Sequence, residues 1–286
     1  MISIIISGKV VKGEGVGRTI GFPTANLFLA KKPKIKHGVY ATLVTFNRQN
    51  YLGLAYFGPR YIFREKNDNF EVYIFNFNRK IYGKILQVKL LKFLRAPKPV
   101  RRLDWLKRLL EQDVAKLNNY VILVNRRDQI TGIELKTKAH LGKAKLHRAI
   151  SVQLFNQKGE LLIQQRAKAK KLFALEWANT VCTDVRPYET YLQAAQRRLK
   201  EEFGLKVRLR PAFKFSYFAS WGRSGAEREI DQVFFGLVTG RPRPNPKEIA
   251  AWKYVGLKAA QKQLKNYAPW FRLILKKIKP SDIVVS

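Results

Sequence analysis

From residue 3 to residue 94 the chain reads as short apolar runs, several of which alternate apolar and polar positions. The runs are Ser3–Val11, Gly38–Phe46, Tyr51–Phe57, Phe70–Phe77 and Ile85–Leu94, separated by Gly, Pro and Asn. Phe70-Glu71-Val72-Tyr73-Ile74-Phe75 alternates most cleanly. Side chains on a strand point to opposite faces in turn, so this pattern predicts antiparallel strands with one face in a core. The first helical spacing comes later, where Leu103, Leu106, Leu110, Val114 and Leu117 predict a helix over Val100–Leu117. Strands followed by one covering helix predict a small antiparallel barrel.

Asn118-Asn119-Tyr120 ends that helix, Val121–Asn125 opens a new strand, and Arg126–Gln129 with Gly132 marks a turn. The expected division is therefore residues 1–119 and 120–286. The second part alternates strands and helices, which predicts an α/β domain. Ala149–Phe155 and Glu160–Gln165 flank a hairpin signal at Asn156–Gly159, and Gln232–Thr239 reads as a later strand. Glu189–Phe203 reads as a helix with Leu192, Ala195, Leu199 and Phe203 as its apolar stripe and Gly204 as its stop. Its Arg197/Glu201 and Arg198/Glu202 spacings are those of ordinary surface salt bridges. Tyr267–Ile278 reads as a closing helix.

Composition narrows the function. The formal charge is +36, from 56 Lys and Arg against 20 Asp and Glu, which keeps a polyanion such as RNA or DNA among the candidate partners. The basic residues are spread along the chain without a dense tail, so phosphorylated small molecules are the preferred reading over nucleic acid. The single cysteine excludes an intrachain disulfide framework and fits a reducing cytoplasm. Met1–Ser7 is apolar but too short for a membrane span, and no later run reaches span length without charge, so no membrane partner is expected.

Gly13, Gly15, Gly17 and Gly21 fall in one short loop with Arg18, and such a loop lets backbone N–H groups approach phosphates. It is neither a Walker loop nor a Rossmann loop, since no Gly-Lys-Ser/Thr follows and no helix opens on it. Thr24 and Asn26, two apart on a strand, present oxygens to one side, where they suit a hard cation such as Mg²⁺. With Gly21-Phe22-Pro23-Thr24-Ala25-Asn26, Gly38-Val39-Tyr40-Ala41, Gly58, Arg60, Glu71-Val72-Tyr73, Tyr82-Gly83 and Phe93-Leu94-Arg95, residues 5–117 resemble riboflavin kinase. The resemblance implies a six-stranded antiparallel barrel that binds ATP and riboflavin. It makes Thr24 and Asn26 the ligands of Mg²⁺-ATP and Glu71 the base for the riboflavin hydroxyl. Tyr56–Phe63 departs from the family's Asn-Ile-Gly-x-Arg-Pro-Thr-Phe, and Asn76-Phe77-Asn78-Arg79-Lys80 replaces an acidic turn, so the ATP half keeps the pattern and the flavin half does not.

In the second part the informative stretch is Trp177–Asp184, which holds the lone Cys182 just ahead of a helix rich in Arg and Glu. A lone cysteine is by default a small core residue. Here His140 and His147 lie upstream, and Glu227 and Glu229 alternate downstream, so that one strand face would carry both carboxylates. Glu189, Arg197 and Arg198-Leu199-Lys200-Glu201-Glu202-Phe203-Gly204-Leu205 fit the Nudix signature imperfectly, with Thr183 and Arg198 at positions where it has Gly and Glu. A closer match takes in Lys136, His140, His147-Arg148-Ala149-Ile150-Ser151, Arg166, Lys170, Trp177-x-Asn179-Thr180-Val181-Cys182, Tyr217, Glu227-Arg228-Glu229 and Pro269-Trp270. These resemble type 1 isopentenyl-diphosphate isomerase, which has the Nudix fold.

That resemblance implies an α/β Nudix-like sandwich that moves a double bond between isopentenyl and dimethylallyl diphosphates. Cys182 and Glu229 would be the acid and base on opposite faces of the alkene, Trp270 would stabilise a carbocation, and Tyr217 would tune the carboxyl proton. Lys136, Arg166, Lys170 and Arg198 would hold the diphosphate, with Glu202 on a bridging Mg²⁺. His140, His147, Asp184, Glu227 and Glu229 would hold a second divalent metal: Mg²⁺, Mn²⁺ or Zn²⁺. Asp184 stands where the family has histidine, and its oxygen shifts the expected preference toward Mg²⁺ or Mn²⁺. Two rival readings stand beside a two-domain enzyme: a Nudix diphosphate hydrolase, and a non-enzymatic RNA- or flavin-binding module.

Overall fold

The computed structural model describes residues 4–63, 65–238 and 240–283. Met1–Ser3, where the first expected strand begins, and Thr239, where a later one ends, lie outside the described residues. The chain divides into two compact units, one of residues 1–134 with 186–188 and the other of residues 135–185 with 189–286.

The first unit holds β1 (Ile5–Val11), a one-turn helix α1 (Val16–Thr19), β2 (Thr24–Phe28), β3 (Gly38–Phe46), β4 (Gln49–Pro59), β5 (Asp68–Ile74), β6 (Ile85–Arg95) and α2 (Leu103–Ala115). The glycine loop, expected to open no helix, does open this single turn, α1, with Gly15 in the left-handed region at its start. The six strands close into a barrel in the order β1-β2-β5-β4-β3-β6, and every neighbouring pair is antiparallel. The alternation read from the sequence supplies the interior. On β1, Ile6 and Val10 point in while Ile5 and Val11 point out, and Val44, Phe57, Phe70, Val72, Leu86 and Val88 fill the rest. Phe46 pairs with Gln49, leaving Asn47 and Arg48 as a two-residue turn with φ of 48° and 61°. Such a left-handed pair matches the twist of the strands it joins.

The predicted helical stripe is only partly right. Leu103 is exposed, and the residues of α2 that are buried are Leu109 and Asp113. Asp113 is tied to the end of β6, where Arg95 Nε donates to its Oδ1 at 2.8 Å and Nη2 to its Oδ2 at 2.6 Å. A buried bidentate pair thus fixes the helix to the barrel.

β7 (Tyr120–Val124) and β8 (Ile130–Leu135) form a hairpin. The sequence signals group this hairpin with the second domain, whereas the contacts place it with the first unit. Asn50 Nδ2 donates to the Ile130 carbonyl at 2.8 Å. The segment 186–188 also lies with the first unit, where the Tyr188 carbonyl accepts from Asn76 Nδ2 at 3.0 Å.

The second unit contains α3 (Lys136–Ala139), β9 (His147–Phe155), β10 (Glu160–Arg166), β11 (Trp177–Ala178), β12 (Val181–Asp184), α4 (Tyr191–Phe203), β13 (Arg210–Ser220), β14 (Ala226–Leu237), β15 (Ile249–Gly256), α5 (Leu257–Lys262) and α6 (Pro269–Leu275). β9 is its centre and is buried along almost its whole length. It runs parallel to β14 and antiparallel to β10 and β12. Beyond these, β13 adds to β14, and β11 and β15 add to β10.

The predicted hairpin forms at Asn156–Gly159, where Asn156 Oδ1 accepts from the amides of Lys158 and Glu160 and Gly159 takes a φ of 73°. Thr190 and Gln193 cap α4 reciprocally, and Gly204 ends it in the left-handed region. The apolar face of α4 is Ala194, Ala195, Leu199 and Phe203, while Leu192 is exposed, so the stripe lies slightly round the helix from its predicted position. Pro269 opens α6, where its missing N–H costs nothing.

Candidate functional site

Each unit brings most of its predicted residues together. In the barrel, Gly15, Gly17, Thr24, Asn26, Tyr56, Arg60, Glu71 and Tyr73 line a pocket that extends to Leu106 and Leu109 of α2. Asn26 pairs with Glu71 across β2 and β5, and Thr24 Oγ1 donates to Glu71 Oε2 at 3.2 Å. Burial raises the Glu71 carboxyl, while Arg60 and the Thr24 hydroxyl pull it back. A side chain at Gly17 would put Cβ 2.3 Å from the Phe22 carbonyl oxygen, and one at Gly13 would collide with the Asn26 amide. Those two glycines let the loop close over Thr24 and Asn26. Gly13 and Arg18 are not among the lining residues, and Arg18 is exposed.

The segment that departs from the family pattern forms one wall of this pocket through Tyr56, Pro59, Arg60, Tyr61, Ile62 and Phe63. Arg60 holds Glu65 through two hydrogen bonds, Nε to Oε2 at 2.8 Å and Nη2 to Oε1 at 2.5 Å. It also lies 3.7 Å from Glu71 Oε1. Tyr56 donates to the Pro59 carbonyl at 2.6 Å, and burial pushes its hydroxyl up to about 12. Nothing local in the sequence announces the approach of Arg60 to Glu71. His37, given no function from sequence, pairs with Asp68 at 2.9 Å.

In the second unit the strand register builds the site. Glu229 on β14 stands beside His147 on β9 and opposite Tyr217 on β13, and β12 brings Cys182 and Asp184 alongside Ser151 and Ala149. One ligand atom from each of His140, His147, Glu227 and Glu229 lies within 4.8 Å of the others. Asp184 Oδ1 joins them, 2.9 Å from His147 Nε2 and 3.6 Å from His140 Nε2. Glu227 Oε2 is 2.9 Å from His140 Nε2, and Glu229 Oε1 is 3.5 Å from His147 Nε2.

The Nδ1 of each imidazole sits 2.7 Å from a backbone carbonyl, that of Lys136 or of Lys145. A carbonyl only accepts, so both Nδ1 atoms carry hydrogen and both Nε2 atoms face the carboxylates. Two imidazole nitrogens and three carboxylates converging in a buried space need positive charge between them. Their chemistry, with the Lys136 and Lys145 carbonyls orienting the rings, fits a divalent cation.

The same crowding shifts the titrating groups. Burial pulls the His147 imidazole down, but hydrogen bonds to Asp184 and Glu229 outweigh it and hold it well above its usual value. His140 is raised in the same way, with Glu227 outweighing burial. Burial raises Asp184, yet Lys136 and His147 keep it well below the usual carboxylate range. Glu229 is lifted to about 6 by burial and by its neighbour Glu227. Tyr217 donates its hydroxyl to Glu229 Oε2 at 2.5 Å.

Cys182 and Trp270 meet through Arg166. Arg166 Nη1 lies 3.7 Å from Cys182 Sγ, and its guanidinium carbon lies 5.3 Å from the Trp270 ring centroid. Burial pushes the Cys182 thiol up to about 12, so it rests protonated. Trp270 is oriented by its indole N–H, which donates to Asn179 Oδ1 at 2.9 Å. Arg166 is itself held by the carbonyls of Phe173 and Leu172 at 2.9 and 3.0 Å.

The remaining diphosphate candidates fall into two groups. Lys136 is drawn to the metal cluster, with Nζ 2.5 Å from Asp184 Oδ2. Lys170 and Arg198 both reach Glu248, a residue that sequence reasoning missed and that no local pattern marks. Glu202 is buried and held by Gln164 at 2.7 Å and by Arg198. The pairs on α4 are not ordinary surface bridges, because Glu202 is only 2% exposed and Arg197 also clasps Glu189, 7% exposed, at 2.5 Å.

The fold and these sites define a riboflavin-kinase-type barrel joined to a Nudix-type α/β domain with a His/carboxylate centre. Residues 2–121 match the Riboflavin kinase family model and residues 145–278 the NUDIX domain model. The second half is 39% identical over 169 residues to an isopentenyl-diphosphate Delta-isomerase of Halorhodospira halophila, covering 57% of this chain and 97% of that protein. It is 37% identical over 162 residues to one from Pectobacterium atrosepticum, covering 55% of this chain and 90% of that protein. Through that half, the chain belongs to the isopentenyl-diphosphate Delta-isomerase family.

Proposed function

We propose that the chain is a bifunctional enzyme that phosphorylates riboflavin to FMN with ATP and interconverts isopentenyl and dimethylallyl diphosphates. The observation that carries the isomerase reading is the chain of contacts Tyr217–Glu229–His147 and Cys182–Arg166–Trp270. The Tyr217 and Trp270 rings, with centroids 6.4 Å apart, link the two sets, so two proton-carrying groups, an aromatic face and a metal-binding cluster lie within one domain. One group of the Cys182/Glu229 pair protonates the alkene and the other removes a proton from the opposite face. Since the reaction is reversible, each serves as acid in one direction. Tyr217 holds the Glu229 carboxylate in place, and the Trp270 face stabilises the cationic intermediate.

His140, His147, Asp184, Glu227 and Glu229 would hold the divalent metal, and three carboxylates against two imidazoles favour Mg²⁺ or Mn²⁺ over Zn²⁺. Such an ion supplies the positive charge that lets these carboxylates share a buried space. Lys170 and Arg198 bind the diphosphate, and Glu202 is suited to a Mg²⁺ shared with it. Hydrolysis is the lesser reading, because Arg198 stands where the Nudix signature has a glutamate and occupies both Glu201 and Glu202.

In the barrel, Thr24 and Asn26 bind Mg²⁺-ATP under the loop of Gly13, Gly15, Gly17 and Arg18, and Glu71 accepts the riboflavin hydroxyl proton. No helix among the described residues is long and apolar enough to cross a membrane, and the substrates are small molecules. The test is incubation of the full chain with isopentenyl diphosphate and Mg²⁺, and separately with riboflavin and Mg²⁺-ATP. Dimethylallyl diphosphate and FMN are the expected products. Release of inorganic phosphate from nucleoside diphosphates with no isomer formed would replace the isomerase reading by hydrolysis. Binding of ATP without FMN formation would place the failure in the Tyr56–Phe63 wall.

A further inference from the structure

Glu248 precedes β15 and has no part in the motifs, yet it sits between two cations that the diphosphate reading needs. Its Oε2 makes an ion pair with Lys170 Nζ and accepts from Arg198 Nη2 at 2.9 Å. A single anionic oxygen shared by an ammonium and a guanidinium is the arrangement a phosphate oxygen would adopt there. Arg198 also holds Glu201 and Glu202. Lys170, Arg197 and Arg198 thus face Glu189, Glu201, Glu202 and Glu248, with Arg197 shared between Glu189 and Glu201, so the cations are balanced by carboxylates once Glu248 is set aside. A second observation points to an incoming acceptor: Arg198 Nε is buried and has no hydrogen-bond partner. A buried guanidinium N–H without an acceptor is costly unless a ligand supplies one.

The backbone around Glu248 is fixed by hydrogen bonds, while its side chain is held by the two cations and reaches solvent. The Glu248 carbonyl accepts from the Ala167 amide at 3.0 Å, its own amide donates to the Asn245 carbonyl at 2.9 Å, and the Asn245 amide donates to the Glu202 carbonyl at 2.7 Å. The carboxylate is 26% exposed. We propose that Glu248 is a resident anion of the diphosphate subsite. Its Oε2 occupies the place of a phosphate oxygen between Lys170 and Arg198, and a diphosphate binds by displacing it. Glu248 therefore sets substrate affinity without touching the reacting carbons. This rests on the reading that Lys170 and Arg198 bind the diphosphate.

The experiment titrates inorganic pyrophosphate with Mg²⁺ into the full chain by calorimetry, using wild type, Glu248→Gln, Glu248→Asp and Glu248→Gln combined with Lys170→Met. Glu248→Gln should tighten pyrophosphate about two- to fivefold, the scale of one charged pair that is partly exposed. It should lower KM for isopentenyl diphosphate with kcat held within about twofold, since uniform binding alone changes. Glu248→Asp, too short to span both cations, should shift affinity the same way by less, and it decides the matter if the Gln variant does not fold. The gain should vanish in the Lys170→Met background. Unchanged or weaker pyrophosphate binding in both single variants would overturn the proposal, as would failure of every protein to bind pyrophosphate. Tightened pyrophosphate binding without turnover of isopentenyl diphosphate would support Glu248's role while refuting the isomerase reading, so the two failures are distinguishable.

Discussion

Replacing Tyr217 by Phe isolates one hydrogen bond. The ring keeps its place, stacked on Phe215 at 5.7 Å and tilted against Trp270 at 6.4 Å, and only the hydroxyl that donates to Glu229 Oε2 at 2.5 Å is lost. Glu229 is buried, so water does not readily replace that donor. A hydrogen bond to a buried charged group contributes about 1.5–3 kcal/mol, which corresponds to a rate loss of roughly ten- to 150-fold if it acts fully in the transition state. The sign on the carboxyl is also fixed. The hydroxyl stabilises the ionised form, so its removal shifts the Glu229 carboxyl upward. The limb of the pH–rate profile set by Glu229 ionisation should then move to higher pH. The assay is isomerisation of isopentenyl diphosphate across pH, with the melting transition of the second unit, which holds Tyr217, as the control for folding. A Phe variant with wild-type kcat and an unmoved profile would refute the claim that Tyr217 supports Glu229.

Three further outcomes follow from named contacts. Glu71→Gln should abolish FMN formation while ATP still binds and isomerisation continues; retained kinase activity would remove Glu71 as the base. Arg95→Met should destabilise the barrel by about 3–5 kcal/mol in urea unfolding, because Asp113, 0% exposed, loses its bidentate partner; a loss below about 1 kcal/mol would show that Lys116, whose Nζ lies 3.1 Å from Asp113 Oδ1, compensates alone. Chelation of divalent metal should stop isomerisation and lower the melting temperature of the second unit's transition, since five converging ligands lose their cation; a melting temperature indifferent to added Mg²⁺ or Mn²⁺ would contradict a metal centre.

The barrel was legible because its signal is local. Alternation along β1 and β5 states which residues face inward, and the hydrophobic core follows it. Helix α4 was legible for a related reason: Thr190, Gln193 and Gly204 mark its ends within the chain. Where prediction slipped, a distant partner decided the outcome. Leu192 fits a helical stripe as well as Ala194 does, and only the position of the sheet selects between them. Arg95 with Asp113 and Arg60 with Glu71 are pairings across the fold that no spacing announces. The hairpin at residues 120–135 follows a helix end and looks like the start of a new domain, yet Asn50 binds its backbone and places it with the first.

The isomerase site divides along the same line. Strand alternation was enough to put Glu227 and Glu229 on one face, and the ordered motifs supplied His140, His147, Cys182, Tyr217 and Trp270. Two features needed coordinates. Lys136, expected on the diphosphate, lies on Asp184 because an aspartate facing two imidazoles leaves its outer oxygen for a cation. Glu248 reaches Lys170 and Arg198 from a loop far along the chain, through backbone bonds to Ala167 and Glu202 that have no sequence signature.

The most direct test of the two-group mechanism is solvent deuterium incorporation during isomerisation by the wild type, Cys182→Ala and Glu229→Gln. Wild type should form dimethylallyl diphosphate carrying solvent deuterium, while each variant, folded by the criterion of an intact melting transition of the second unit that holds both residues, should lose turnover by about a hundred- to ten-thousandfold, the range expected when a general acid–base group is removed. Wild-type rates of isomerisation and exchange in both variants would contradict the assignment of Cys182 and Glu229 as the proton-transferring pair.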